Sequence, residues 1–241
     1  MKLYTRTSGS GPRTAALLHG ASMTHDIWRD FGQILQQRHD IKLLLVDQRG
    51  HGASPRADSY AIDDFAADAV ETLPQGLDFI IGQSLGGRVG AMISGELKPG
   101  RYIGLDPAFT VTATYAGVLK HISPHQKRFP EWLLRALMPH AKEAPADTIP
   151  RIKEAWRMWD ASMMTQLVTT GTATEFMPCP PPVPSTIVLA ERSMCVSAKR
   201  AEEFRALGWD VRVKPAAIHD LHVQDPQGLS LLLDDVLRSD R

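Results

Sequence analysis

The sequence predicts an α/β fold: a mostly parallel, doubly wound sheet interrupted by an inserted helical cap. Three observations predict it. Short apolar runs recur along the chain, and most are continuously apolar rather than alternating, as expected for strands covered by helices on both faces. Helix-length amphipathic segments separate them, the alternation that builds a parallel sheet. One interval, from Leu105 to Ser185, then runs for roughly 80 residues without a strand-like stretch, far longer than an ordinary connection.

Taken in chain order, the strand-like runs are TAALL (14–18), IKLLLV (41–46), DFII (78–81), YIGL (102–105), STIVLA (185–190) and DVRVKP (210–215). The last alternates Val211 and Val213 with Arg212 and Lys214, which suits a strand near the sheet edge. The helical segments are 27–38, 60–73, 84–97, 197–207 and 226–238. Gly208 stops the fourth of these, and Asp225 followed by Pro226 reads as an N-cap with proline at the first helical position, so Asp225 is a cap and not a catalyst. The long interval is helical in composition and rich in Met and Trp: Trp132, Met138, Trp156, Met158, Trp159, Met163, Met164 and Met177. It closes with the stiff linker PCPPPVP. The expected organisation is a core formed by 1–110 and 183–241 with a cap of 111–182, most of whose Met and Trp residues pack onto the core while some face a ligand.

Composition excludes several classes. Lys and Arg number 27 against 27 Asp and Glu, so no net charge draws the chain to nucleic acid or an anionic membrane, and no local basic patch replaces it. No apolar run is long enough to span a bilayer, and the opening MKLYTRTSGSG is too polar for a signal peptide. A cytoplasmic protein acting on a small molecule is expected, with neither nucleic-acid nor membrane partner and with room for a homodimer. The two cysteines, Cys179 and Cys195, make no disulfide framework or metal cluster and read as buried or bystander thiols.

In a parallel α/β sheet, function collects beyond the carboxyl ends of the strands. The segments there are His19-Gly20-Ala21, Asp47-Gln48-Arg49-Gly50-His51-Gly52, Gly82-Gln83-Ser84-Leu85-Gly86-Gly87, Asp106-Pro107, Glu191 and Ile218-His219-Asp220. One rim therefore holds a nucleophile, acids and a base. The third segment is the sharpest signal. Gly-Gln-Ser-Leu-Gly stands between an apolar strand and a helix, the context a G-x-S-x-G nucleophile elbow requires: the serine takes a tight, strained turn, and the glycines let strand and helix backbones approach.

With an HG turn some 60 residues upstream of this elbow, the chain resembles the α/β-hydrolase superfamily, in the serine hydrolase branch with a helical cap. The resemblance covers the whole core and the cap by length and position alone. It implies that the backbone N–H groups of Ala21 and Leu85 form the oxyanion hole. It also implies a catalytic histidine after the last strand, in a pattern similar to GH-x-x-H-x-x-D-P, and His219 of Ile-His219-Asp-Leu-His222-Val-Gln-Asp225-Pro226 takes that place. His222 is then a surface or packing histidine, and His19, His51, His121, His125 and His140 are turn or cap residues without the pairing for a zinc site. No metal and no cofactor are expected.

The acid departs from the commonest pattern of the family. The loop after 185–190 carries Ser193 where the resemblance puts aspartate, whereas Asp106 follows the strand after the nucleophile, as the acid does in haloalkane dehalogenases and pancreatic-type lipases. Asp106 is preferred, with Glu191 and no acid at all as alternatives, and with a plain Asp-Pro turn as the structural reading of Asp106. The resemblance implies an architectural role for Asp47 in its D-x-R-G-H-G turn, and Asp220 adjoins the histidine too closely to meet its ring. The implied activity is hydrolysis of an ester-like bond (carboxylester, thioester or lactone) in a small to medium, mainly apolar substrate through an acyl-enzyme on Ser84. A carbon–carbon hydrolase or lyase of the same fold, or a ligand-binding regulatory protein that keeps the triad, remains open.

Overall fold

A computed structural model describes residues 1–110, 113–137, 145–173 and 175–238. Seven strands form one sheet in the order β1-β3-β2-β4-β5-β6-β7. They are β1 (Tyr4–Ser8), β2 (Arg13–Leu18), β3 (Ile41–Asp47), β4 (Phe79–Gln83), β5 (Arg101–Leu105), β6 (Ser185–Ala190) and β7 (Asp210–Lys214). All neighbours are parallel except β1, which pairs antiparallel with β3. The predicted α/β class and its six parallel strands are present, each run within about two residues of its expected place. The sequence reading missed β1, for a physical reason: YTRTS lies at the sheet edge with most of its residues exposed, so it carries no apolar pattern to read.

The central strands owe their continuous apolarity to burial on both faces. Every residue of β4 and β6 is buried. The helix α1 (Arg29–His39), entered through a 3-10 turn at His25–Trp28, packs on β3, while α3 (Leu85–Leu97) covers β4, β5 and β2. Next to α3 lies α2 (Ile62–Thr72), and α8 (Ala198–Ala206) covers β7. Asp225 caps as expected, its side chain accepting from the Gly228 N–H, and it also pairs with Lys214 at 2.7 Å. The expected closing helix is divided: α9 (Leu221–Gln224) precedes α10 (Pro226–Leu232), and α11 (Asp234–Arg238) restarts after Leu233. Asp234 and Asp235 in the first turn of α11 favour that restart, and Asp235 also holds Arg212 of β7.

Between β5 and β6 the described residues contain no strand, only α4 (Ala113–Ile122), α5 (Glu131–Leu137), α6 (Thr148–Arg157), α7 (Met163–Ala173) and a 3-10 turn at 123–128. Helix α6 buries Ile149, Ile152, Ala155 and Trp156, a stripe at helical spacing. The two ends of the insertion meet over the core, where Phe109 stacks on Phe176 with ring centroids 4.4 Å apart and Trp209 donates to the Cys179 carbonyl at 2.7 Å. Among the described residues no helix is long and apolar enough to cross a membrane. Met138 and His140 lie outside the described residues.

Candidate active site

Ser84 sits at the end of β4, the middle strand of the sheet, in the turn that leads into α3. Its φ of 52° and ψ of −114° are strained for a residue with a side chain. Neighbouring backbone holds that strain: the Ser84 N–H donates to the Leu105 carbonyl at 3.1 Å, and its own carbonyl accepts from Ala108 and Arg88 at 2.9 and 3.0 Å. The elbow glycines are required by close approach. A Cβ on Gly82 would overlap the Gly86 carbonyl, and one on Gly86 would overlap the Leu18 carbonyl.

The strained turn aims the Ser84 hydroxyl at His219, which follows β7. Ser84 Oγ donates to His219 Nε2 at 2.8 Å, and His219 Nδ1 donates to Asp106 Oδ2 at 2.7 Å. Asp106 follows β5 and is 1% exposed, with its other oxygen accepting from the Ala190 N–H. Burial opposes a charged imidazole here, but the Cys195 sulfur and the Asp106 carboxylate favour it more strongly, so His219 is held above the ordinary 6.5. Glu191 is exposed and borders a second opening that Asp106 and His219 also line. Ser193, at the position where the family resemblance expects an acid, accepts from the N–H groups of Cys195 and Val196 and so shapes their turn.

Ala21 and Leu85 both line the cavity beside Ser84. The turn carrying Ala21 is braced by two buried histidines. His51 Nε2 accepts from the Ser22 N–H at 3.1 Å while its Nδ1 donates to the Arg49 carbonyl. His19 Nε2 accepts from the Gln48 N–H at 3.1 Å and its Nδ1 donates to the Gly20 carbonyl. Burial, with the His19 ring opposing a charge on it, lowers His51 to about 3, and burial lowers His19 as well, so both rings keep the neutral tautomers these bonds need. Asp47 is architectural as expected: it accepts from the His25 N–H at 2.7 Å, from the His25 ring at 2.9 Å and from the Ala53 N–H at 3.0 Å. His222 is a packing residue. It lies 4.3 Å from the Trp28 ring, and burial lowers it to about 4.

A cavity of about 280 Å³ opens over Ser84. Its walls are mainly apolar, with Met23 and Ile62 from the core and Leu119, Trp156, Met164 and Leu167 from the insertion. Of the Met and Trp residues singled out in the insertion, Trp156 and Met164 reach this cavity, Trp159 and Met163 are buried in the core, and Trp132, Met158 and Met177 are exposed.

Gln83, Arg88 and Cys195 line the cavity too, and the sequence assigned none of them a role there. Gln83, the residue before the serine, donates from Nε2 to the His219 carbonyl at 3.3 Å and to Asp220 at 3.4 Å, tying the histidine loop to the elbow. Arg88 lies one helical turn beyond Ser84 on α3, and burial lowers the pKa of its guanidinium. Cys195 is buried, one of the two readings expected for the cysteines, while Cys179 is exposed. The Cys195 Sγ is 4.0 Å from His219 Nδ1, and the ligand atoms of Asp106, Cys195 and His219 all lie within 4.8 Å of one another. The signal was its place on the rim, five residues past the end of β6.

Residues 16–230 match the alpha/beta hydrolase family. A pimeloyl-[acyl-carrier protein] methyl ester esterase of Methylococcus capsulatus is 33% identical over 100 residues, covering 42% of this chain and 37% of that one. One of Edwardsiella ictaluri is 29% identical over 128 residues, 51% and 48% of the two chains. The chain thus spans about half or less of the curated relatives it matches. Among solved structures, the enol-lactonase of Burkholderia xenovorans LB400 superposes with a TM-score of 0.79 at 15% identity, over 98% of this chain and 96% of that one. An E-2-(acetamidomethylene)succinate hydrolase does so at 0.78 and 23% identity, over 97% and 94%. At these identities the likeness shows the fold.

Proposed function

Because the chain belongs to the alpha/beta hydrolase family, we propose that it is a serine hydrolase of ester-like bonds, with Ser84 as nucleophile, His219 as general base and Asp106 as the acid that orients it. The single observation that carries this reading is the unbroken chain from Ser84 Oγ through both ring nitrogens of His219 to Asp106, at 2.8 and 2.7 Å. Such a chain lets His219 take the hydroxyl proton at Nε2 as Oγ attacks a carbonyl, while Asp106 holds the proton on Nδ1 and stabilises the imidazolium that forms. The N–H groups of Ala21 and Leu85 receive the oxyanion, worth about 3 kcal/mol each by analogy with other acyl-transfer sites. His219 then returns its proton to the leaving alkoxide or thiolate, and water, activated at the same Nε2, cleaves the acyl-enzyme.

The substrate is a carboxylester, thioester or lactone of small to medium size and mainly apolar character, roofed by a cap of residues 111–182. The apolar walls contributed by α4, α6 and α7 support that, and so do the esterase names of the curated relatives. The test is hydrolysis of a series of p-nitrophenyl esters. Ser84→Ala should lower kcat by about three to six orders of magnitude while circular dichroism stays unchanged. A variant within tenfold of the wild type would contradict the reading.

A further inference from the structure

Three chemically different donors converge behind the ring of His219. Asp106 Oδ2 lies 2.7 Å from Nδ1 and Cys195 Sγ lies 4.0 Å from it. A tetrahedral zinc ion, with bonds of about 2.0 Å to nitrogen and oxygen and 2.3 Å to sulfur, needs these spacings to be about 3.3 and 3.5 Å. The carboxylate would retreat and the sulfur advance by roughly half an ångström each, a small rotation for either side chain. The turn that presents the sulfur is fixed by Ser193, whose Oγ accepts from the Cys195 and Val196 N–H groups at 3.2 and 3.0 Å. Access exists from two sides. Cys195 faces the main cavity, and Asp106 and His219 also border the second opening beside Glu191.

We propose that Asp106, Cys195 and His219 form an inhibitory site for zinc. Thiolate and imidazole donors select a borderline-soft divalent ion over magnesium or calcium, which prefer oxygen. On binding, Zn–N, Zn–S and Zn–O bonds form. The thiol proton leaves to solvent, and the imidazole proton moves from Nδ1 to Nε2, so that one proton is released overall and the fourth position is left to water. The consequence rests on the reading of Ser84 and His219 as nucleophile and base. With its proton on Nε2, the ring donates to Ser84 Oγ and can no longer take the hydroxyl proton, which is the wrong-tautomer state that disables serine enzymes. The metal thus replaces the very hydrogen bond that orients the base.

The full chain, freed of metal by a chelator, is titrated with Zn2+ while ester hydrolysis is followed, and in parallel with Co2+ while absorbance is followed. The wild type should bind one Co2+ with a thiolate charge-transfer band in the near ultraviolet, and Zn2+ should abolish turnover where the same concentration of Mg2+ does not. Cys195→Ala should lose the band and need at least about tenfold more Zn2+ for half-inhibition, each variant being compared with its own metal-free rate. Cys179→Ala should keep both. Cys195→Ser serves if the alanine variant does not fold, since it keeps the volume while weakening the ligand. A band that survives in the Cys195 variant or vanishes in the Cys179 variant would overturn the site, as would unchanged zinc sensitivity of the Cys195 variant. Because the cobalt band does not depend on turnover, a chain that hydrolyses no ester but shows the Cys195 band would refute the hydrolase reading and leave the metal site standing.

Discussion

Replacing Asp106 by Asn removes one charge at the centre of the proposed triad and leaves nearly everything else in place. The position has a φ of 42°, a left-handed conformation that Asn adopts about as readily as Asp, and the side chain is buried, so the backbone has no reason to move. The Asn oxygen can keep the Ala190 N–H, which leaves its amide to face His219 Nδ1. An amide donor there turns Nδ1 into an acceptor and drives the ring proton to Nε2, toward Ser84 Oγ. The comparable change in other serine enzymes costs up to about ten-thousandfold, or roughly 5.5 kcal/mol of transition-state stabilisation. The exposed Glu191 offers a control: Glu191→Gln should stay within about twofold, as surface substitutions do. The assay is kcat/KM for a short-chain p-nitrophenyl ester across pH, with chelator present. Since His219 works as a base only when unprotonated and is held above 6.5, the wild type should gain activity as pH rises through that raised value. The residual activity of Asp106→Asn should turn on at lower pH, because the carboxylate that favoured imidazolium is gone. An Asp106→Asn rate within tenfold of the wild type, or a larger loss for Glu191→Gln, would refute the reasoning.

Asp47, held down to about 2 from 3.8 by its bonds to His25 and Ala53 against the opposing effect of burial, should contribute about 2 kcal/mol of stability. A depressed carboxylate stabilises above its unfolded pKa and loses that contribution as pH falls through the folded one, so urea unfolding should show Asp47→Asn weaker by that amount at pH 7 and progressively less so on acidification toward pH 2. Met164 lies on the cavity wall, and Met164→Trp should fill space that acyl chains need; the ratio of p-nitrophenyl hexanoate to acetate turnover should fall by about tenfold or more, and an unchanged ratio would place the acyl chain elsewhere.

The parts of this molecule that were legible in its sequence are those governed by local rules. Runs such as IKLLLV and STIVLA announce strands because they are almost continuously apolar, and in STIVLA every residue is buried. The elbow is legible because strand, tight turn and helix must follow one another within a few residues. The position of Asp106 beside the histidine ring was accessible only through a departure, Ser193 where an acid belongs in the commoner pattern, combined with the adjacency of β5 and β6. What stayed hidden depends on long-range packing. Beyond its place on the rim, nothing near Cys195 in the chain says that its sulfur will reach His219, 24 residues on, because β7 must first pair alongside β6 and bring the loop after it to that side. For His222 the sequence leaves surface and packing readings both open, and only the contact with Trp28, from the far end of the sequence, decides for packing. Strand β1 fails for the opposite reason, since an edge strand with exposed side chains leaves no hydrophobic signature.

Whether Ser84 is the nucleophile is tested most directly by treating the folded chain with a fluorophosphonate and reading the site of modification by mass spectrometry. The expected result is one phosphonyl group per chain, mapped to Ser84, with no adduct on Ser84→Ala and with ester hydrolysis lost in proportion to labelling. Equal labelling of Ser84→Ala, or an adduct carried by another residue while Ser84 stays free, would contradict it.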